Sequence, residues 1–296
     1  MANEPADSSE RLPRVVRSVQ QLRSDVACAR AAGRTIGLVP TMGALHEGHL
    51  SLVQAARDEC DMTIVTIFVN PTQFGPHEDF DRYPRTMEQD LQLLRRVGAD
   101  LVFAPDRQTI YPEGFSTYVD PPAVGQRWEG QCRSEHFRGV ATVVLKLFNL
   151  VGADVAYFGR KDYQQARVIQ CMVEDLAVPI AVRVCPTVRE SDGLALSSRN
   201  RYLDADQRSR ALALWKSLLL ARQLVQGGES QAESINGQMQ QRLIELGVDR
   251  IDYAALVDPV TLQPVARVQQ RTVALVAAFV GQTRLIDNLE IEPRSS

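Results

Sequence analysis

The sequence predicts an α/β fold: a parallel sheet with helices on both faces, followed by a smaller α+β domain. Short, β-branched apolar runs alternate with segments of helical periodicity as far as Cys185, the pattern of a parallel sheet buried on both sides. The three loops richest in polar side chains, at 40–49, 70–76 and 159–162, each follow one of those runs. In such sheets ligands sit beyond the carboxyl ends of the strands, near the point where strand order reverses. After Pro186 the order becomes helices and then strands, which need not be parallel.

Taken in order, Val16, Val19, Leu22, Val26 and Ala29 predict a helix over 15–32, closed by Gly33. A strand at 35–39 leads into a loop punctuated by Pro40 and Gly43, and then into a helix marked by Leu50, Val53 and Ala56 that runs to about Cys60. Residues 62–69 are almost wholly apolar and read as a strand covered on both faces. Thr86, with Gln89 three residues later, resembles a capping box for a helix to Gly98, and a strand at 100–104 follows. Residues 105–131 are rich in Pro and Gly, with one strand expected around Tyr118; an irregular stretch this long is more often functional than idle. A buried helix at 140–151, a strand at 155–158, a helix at 163–175 and a strand at 180–185 complete the first half. Helices at 204–226 and 229–246 and strands at 250–257, 272–280 and 284–288 form the second. The expected domains are residues 1–187, with a disordered tail at 1–12, and residues 188–296.

At 296 residues and 45% hydrophobic content, the chain can bury a large core. Its net charge of −3 is mixed along the chain, with no like-charge block of the kind that binds nucleic acid. Five scattered cysteines, without a C-x-x-C pair, indicate reduced thiols and a cytoplasmic protein. The polar, acidic start has no apolar core and is not a signal peptide. The longest apolar run, 273–280, is too short to span a bilayer, so no membrane partner is expected.

The chemistry concentrates at Met42, Gly43, Ala44, Leu45, His46, Glu47, Gly48 and His49, where a glycine-punctuated loop opens a helix. Unpaired backbone N–H groups and the positive end of a helix dipole make such a start an anion site. Three readings stay open on this motif alone: a phosphate site, a zinc site and a surface histidine pair. The metalloprotease pattern needs a second histidine four residues after the first, and Leu50 stands there; His77 and His136 lie in other loops. Neither a G-x-G-x-x-G nor a Walker A pattern is present. Lys161-Asp162 follows a buried strand, and Leu196-Ser-Ser-Arg199 sets two hydroxyls beside a guanidinium fork; each reads as a solvated loop or as a set of phosphate ligands. Gln73 and Gln165 both donate and accept, which suits a hydroxylated substrate. Together these features suggest nucleotide-dependent transfer. A nucleotidyltransferase acting on another small carboxylate or phosphate, and a nucleotide-sensing module without chemistry, are the rivals.

The segment Pro40-Thr-Met-Gly-Ala-Leu-His-Glu-Gly-His49 closely resembles the signature of the pantoate–β-alanine ligase (pantothenate synthetase) family. So do Phe68-Val-Asn-Pro-Thr-Gln-Phe74, Tyr83-Pro-Arg85, Phe158-Gly-Arg-Lys-Asp-Tyr-Gln-Gln165 and Leu196-Ser-Ser-Arg-Asn200, in the family's order. The resemblance implies joining of pantoate to β-alanine with ATP and Mg²⁺ through a pantoyl adenylate, on a Rossmann-like domain with a smaller C-terminal lid, in a homodimer. It implies that residues 42–49, Gly159, Arg160, Lys161, Asp162, Val188, Leu196, Ser197, Ser198 and Arg199 hold ATP, with His46, His49, Lys161 and Arg199 acting in catalysis. Gln73 and Gln165 would bind pantoate, Gln73 lying near β-alanine as well, and Asp90 would stand near magnesium. Arg160 replaces an expected Glu or Gln, and the loop at 131–137 lacks the proline and glycine usual before His-Phe.

Overall fold

The apolar runs of the first half become one six-stranded, wholly parallel sheet in the computed structural model, which describes residues 12–76 and 78–293. His77 and residues 1–11 of the expected tail lie outside the described residues. The strands are β1 (Arg14–Val16), β2 (Ile36–Thr41), β3 (Met62–Ile67), β4 (Leu101–Phe103), β5 (Val155–Gly159) and β6 (Ala181–Cys185), in the order β1-β4-β3-β2-β5-β6. Every residue of β3 is buried, as its unbroken apolar and threonine run requires for a strand covered on both sides. Strand alternation sends Val39, Val65, Val102 and Tyr157 into one core with α2 (Glu47–Glu59) and α3 (Met87–Val97). The other face carries Phe158, which meets Phe148 of α6 (His136–Val151) edge-on, and α6 packs on α1 (Val19–Ala31). The strand order reverses beside β2, which pairs with β3 over its full length and with β5 at Gly37 and Leu38. Pro40 falls past the stretch paired with β5, so β2 runs two residues beyond the expected end at Val39.

Two local expectations are corrected. The helix expected over 15–32 begins only at Val19, where the Ser18 hydroxyl accepts the Gln21 N–H at 3.3 Å. Arg14–Val16 instead pairs in parallel with Leu101–Phe103. Three residues are too few to show a period of two, and the valines happen to fit a helical spacing as well. No strand forms at Tyr118; residues 105–132 contain two single α-helical turns, α4 (Arg107–Ile110) and α5 (Glu129–Cys132), and a 3-10 turn at Ala123–Gly125.

A second antiparallel sheet, β7 (Arg250–Val257), β8 (Thr272–Val280) and β9 (Thr283–Ile291), follows α8 (Ala205–Gln226) and α9 (Ala232–Glu245). One face, with Leu256, Val276 and Val280, packs on Leu214, Leu218, Ile235 and Met239 of the two helices. The other, with Ala255, Val257, Val273 and Leu275, is covered by Trp128 and by Tyr163, the first residue of α7 (Tyr163–Asp175). For that reason the second compact unit comprises Pro122–Ser134 and Arg160–Arg167 as well as residues from Pro186 onward, and so reaches beyond 188–296. The first unit holds the chain up to Pro121 together with Glu135–Gly159 and Val168–Cys185.

Two helical glycines separate close packing from simple propensity. A Cβ on Gly139 in α6 would run into the Thr72 carbonyl and lie 2.6 Å from the Gln73 nitrogen, whereas one on Gly237 in α9 meets nothing within 4 Å. Gly139→Ala is expected to lower the free energy of unfolding by about 1–3 kcal/mol. Gly237→Ala is expected to raise it by about 0.5–1 kcal/mol. Urea denaturation checks both signs.

Candidate active site

The loop after β2 is shaped by what it must hydrogen-bond. Gly43 (φ +80°) and Ala44 (φ 51°) are both left-handed, a conformation costly for alanine. The pair turns the Ala44 and Leu45 N–H groups inward, where the Asp90 carboxylate accepts them at 3.0 and 2.8 Å. The Thr86 hydroxyl donates to the same carboxylate at 3.2 Å and makes no cap bond, so the expected Thr86–Gln89 capping box does not form. A Cβ on Gly43 would stand 3.0 Å from Asp90 Oδ2 and 3.1 Å from Ile67 Cγ2, so the loop's close approach demands glycine. Thr41 completes the anchorage: its hydroxyl donates to the Thr66 carbonyl at 2.7 Å and accepts from Gly43 N–H at 3.2 Å.

His46 and His49 flank the start of α2, with ring centroids 4.1 Å apart. The His46 backbone N–H donates to His49 Nδ1 at 3.3 Å. A backbone N–H can only donate, so Nδ1 is an acceptor and the neutral His49 ring carries its proton on Nε2. His49 is thereby a hydrogen-bond donor at the positive end of a helix, a fitting partner for a phosphate oxygen.

Asp90 does not fit a magnesium ligand. It is 1% exposed, and three donors from the protein already occupy its two oxygens. Among the described residues no group of three or more His, Cys, Asp or Glu is arranged to hold a metal ion, so the zinc reading of the histidine loop has no ligand set to support it.

Gln73 ends a one-turn 3-10 helix that Asn70 caps and Pro71 opens. Its Oε1 accepts from Asn70 Nδ2 at 3.0 Å and its Nε2 donates to Met42 Sδ at 3.2 Å, which joins this turn to the histidine loop within the first unit. Asn70, 1% exposed, also donates to the Gly139 carbonyl and accepts from Tyr111 Oη at 2.8 Å. His136 Nδ1 lies 3.0 Å from the Gln73 carbonyl, which can only accept, so this Nδ1 carries a proton, unlike that of His49.

The second unit carries the basic loops. Arg160–Asp162 forms a 3-10 turn after β5, with Lys161 Nζ 3.5 Å from Asp162 Oδ1 and Arg160 Nη1 3.1 Å from Glu290. The Asn288 amide donates to the carbonyls of Arg160 and Lys161. The Leu196 N–H donates to the Val188 carbonyl at 3.0 Å, and an Arg189–Ala195 bridge closes the loop between them. Ser197 then caps the turn Ser198–Tyr202 by accepting the Arg199 N–H at 3.3 Å. Arg189 forks Asp287 at 2.6 and 2.9 Å and stacks on Trp215. Burial pushes the Asp287 carboxyl up, and the Arg189 fork opposes that rise. On the opposite face of the same sheet, Glu129 accepts from Arg284 (2.6 Å) and Tyr253 (2.9 Å), and burial pushes the Tyr253 hydroxyl well up. Gln165 lies half-buried in α7.

Thus Met42–His49, Gln73 and Asp90 share the first unit with Gly159, and Arg160, Lys161, Asp162, Gln165, Val188 and Leu196–Arg199 belong to the second. Sequence reasoning passed over Asn70, Tyr111, His136, Arg189, Asp287 and Asn288. Asn70-Pro71 had a readable signal, a capping residue before a proline. Asp287-Asn288 had only a faint one, two adjacent polar residues in a strand that already mixes polar and apolar positions.

Fold and loops define a doubly wound α/β protein whose histidine-bearing helix start follows β2, beside its topological switch point. The family model described as pantoate-beta-alanine ligase matches residues 14–290, and the chain belongs to that family. It is 51% identical to a pantothenate synthetase of Moorella thermoacetica, over 94% of this chain and 98% of that one. A crystal structure of pantothenate synthetase from Thermus thermophilus superposes with a TM-score of 0.90 at 46% identity, covering 95% of this chain and 100% of the other. A pantoate-beta-alanine ligase from Francisella tularensis, complexed with beta-gamma ATP and beta-alanine, gives a TM-score of 0.76 at 33% identity, covering 94% and 97%.

Asp90→Asn would set an amide N–H₂ against one of two backbone donors. The expected cost is about 1–3 kcal/mol, seen as an equal fall in melting temperature in EDTA and in magnesium. A fall confined to magnesium-containing buffer would point instead to a metal ligand.

Proposed function

We propose that this chain condenses pantoate with β-alanine, using ATP and releasing AMP and pyrophosphate, with pantoyl adenylate as the intermediate. The observation that carries the reading is the family match from residue 14 to 290. A relative of similar length, complexed with an ATP ligand and β-alanine, supports it.

A carboxylate has no leaving group and does not acylate an amine at neutral pH. Its oxygen attacks the α-phosphorus in line, the bond to the bridging oxygen breaks, and pyrophosphate departs with the electron pair. The β-alanine nitrogen then attacks the acyl carbon and loses a proton, and AMP leaves. Negative charge grows on phosphate oxygens in the first step. His49 Nε2–H, Lys161, Arg199 and the hydroxyls of Ser197 and Ser198 are the donors we assign to it, with His46 holding His49 in the productive tautomer. Gln73, its oxygen fixed by Asn70, and Gln165 are assigned to pantoate. Mg²⁺ would supply positive charge against the ATP phosphates, and Asp90 is not assigned to hold it.

We also propose a cytoplasmic homodimer, its dimeric state to be checked by sedimentation of the purified chain; among the described residues no helix is long and apolar enough to cross a membrane. Supplied with ATP, Mg²⁺, pantoate and β-alanine, the protein should form AMP and pantothenate in equal amounts. Nucleotide transfer without the amide would sink the reading. His49→Ala and Lys161→Ala should each slow pantoate-dependent exchange of pyrophosphate into ATP by about 100-fold or more while leaving the melting temperature nearly unchanged. Near-normal exchange in either would remove that residue from the mechanism.

A further inference from the structure

Adjacent residues of a β-strand point to opposite faces of their sheet. In β9 that alternation falls on two polar neighbours, Asp287 and Asn288, each 4% exposed. Asp287 lies opposite Val276 and shares its face with α8, where the Arg189 fork holds its carboxylate. Asn288 lies opposite Leu275, on the other face. There its single amide nitrogen donates to two successive carbonyls, those of Arg160 at 2.9 Å and Lys161 at 2.8 Å. The two side chains are linked, because Asp287 Oδ1 accepts the Asn288 N–H at 2.8 Å.

The pair of carbonyls matters. The Arg160 carbonyl belongs to the peptide plane before the Lys161 Cα, and the Lys161 carbonyl belongs to the plane after it. Each plane is rigid, so holding both fixes the two dihedrals between them and with them the direction of the Lys161 Cα–Cβ bond. Glu290, one pleat along on the same face, holds the Arg160 guanidinium at 3.1 Å and closes off rotation of the turn from its other end. Lysine itself is a long, rotatable chain ending in a point charge, so the geometry it lacks must come from its backbone.

We propose that Asn288 is a positioning residue that aims Lys161, and that through Asp287 and Arg189 the same strand holds the loop leading into Ser197, Ser198 and Arg199. One pair of buried side chains on β9 would then register both basic loops of the second unit. This rests on the reading of Lys161 as a phosphate ligand.

Asn288→Asp is the diagnostic change: it keeps the size, removes both N–H donors and turns an oxygen toward two carbonyl oxygens. It should slow pantoate-dependent exchange of pyrophosphate into ATP by about 10–100-fold, the loss expected from a small misplacement of a catalytic group. Combined with Lys161→Ala, it should add less than about twofold to the loss from Lys161→Ala alone, because both act through one side chain. A merely structural role would lower the melting temperature and multiply the two losses. Exchange within about twofold of wild type in Asn288→Asp, beside a slow Lys161→Ala, overturns the positioning role, as do losses that multiply. A wild-type rate in Lys161→Ala overturns the reading of Lys161 instead. Should Asn288→Asp not fold, the same cycle is run with Asn288→Ser, which keeps one donor in less volume and should show a smaller loss with the same non-additivity.

Discussion

A buried carboxylate determines the shape of the loop that follows β2 in the first unit. Asp90 sits under the loop that follows β2 and takes two successive backbone N–H groups that no helix or strand could satisfy there. Meeting that demand forces two left-handed residues in a row, requires glycine at the first, and sets where α2 begins. The start of α2 in turn sets the His46 N–H that selects the His49 tautomer. A group far from solvent thus governs which ring nitrogen of His49 carries the proton. An unpaired carboxylate at that depth would be costly, and so would unpaired N–H groups. Each makes the other tolerable.

The second unit reaches a similar result with side-chain amide and guanidinium groups. Glu129, Arg284, Tyr253 and Asp252 form a buried ionic set on one face of the sheet, and Arg189 with Asp287 forms a bidentate pair on the other. Buried ion pairs of this kind are weak evidence for stability, since desolvation offsets much of their attraction. Their value lies in direction: a guanidinium fork fits a carboxylate in few orientations, and Asp287 accepts a fork and a backbone N–H together. Loops that must carry positive side chains at defined angles are held by contacts that tolerate little rotation.

The parallel sheet was legible because its strands are buried on both sides and so read as unbroken apolar runs, with Met62–Ile67 the plainest. The histidine loop was legible because glycine, proline and a helix start are local signals. What escaped was non-local. Arg14–Val16 becomes a strand only by pairing with Leu101–Phe103, across most of a domain of intervening chain. Thr86 and Gln89 have the spacing of a capping box, yet the Thr86 hydroxyl finds Asp90 and leaves the cap unmade. Asp90 matches the family's acidic position near magnesium, but sequence spacing does not reveal that two backbone donors from residues 44 and 45 have claimed it. Asn288 shows the limit best, since its partners are carbonyl oxygens, which every residue has.

The second unit is assembled from three separate stretches of chain, and the first from three others interleaved with them. The ribosome therefore completes the first unit at Cys185, when two stretches of the second have been made and the rest has not. Glu129 emerges long before Arg284, and the Arg160–Asp162 turn long before Asn288; the bonds that join these groups to β9 form only once that strand is made. Domain-by-domain folding during synthesis, the usual economy of larger chains, is closed to the second unit. Its two early segments must wait for the last strand to be made.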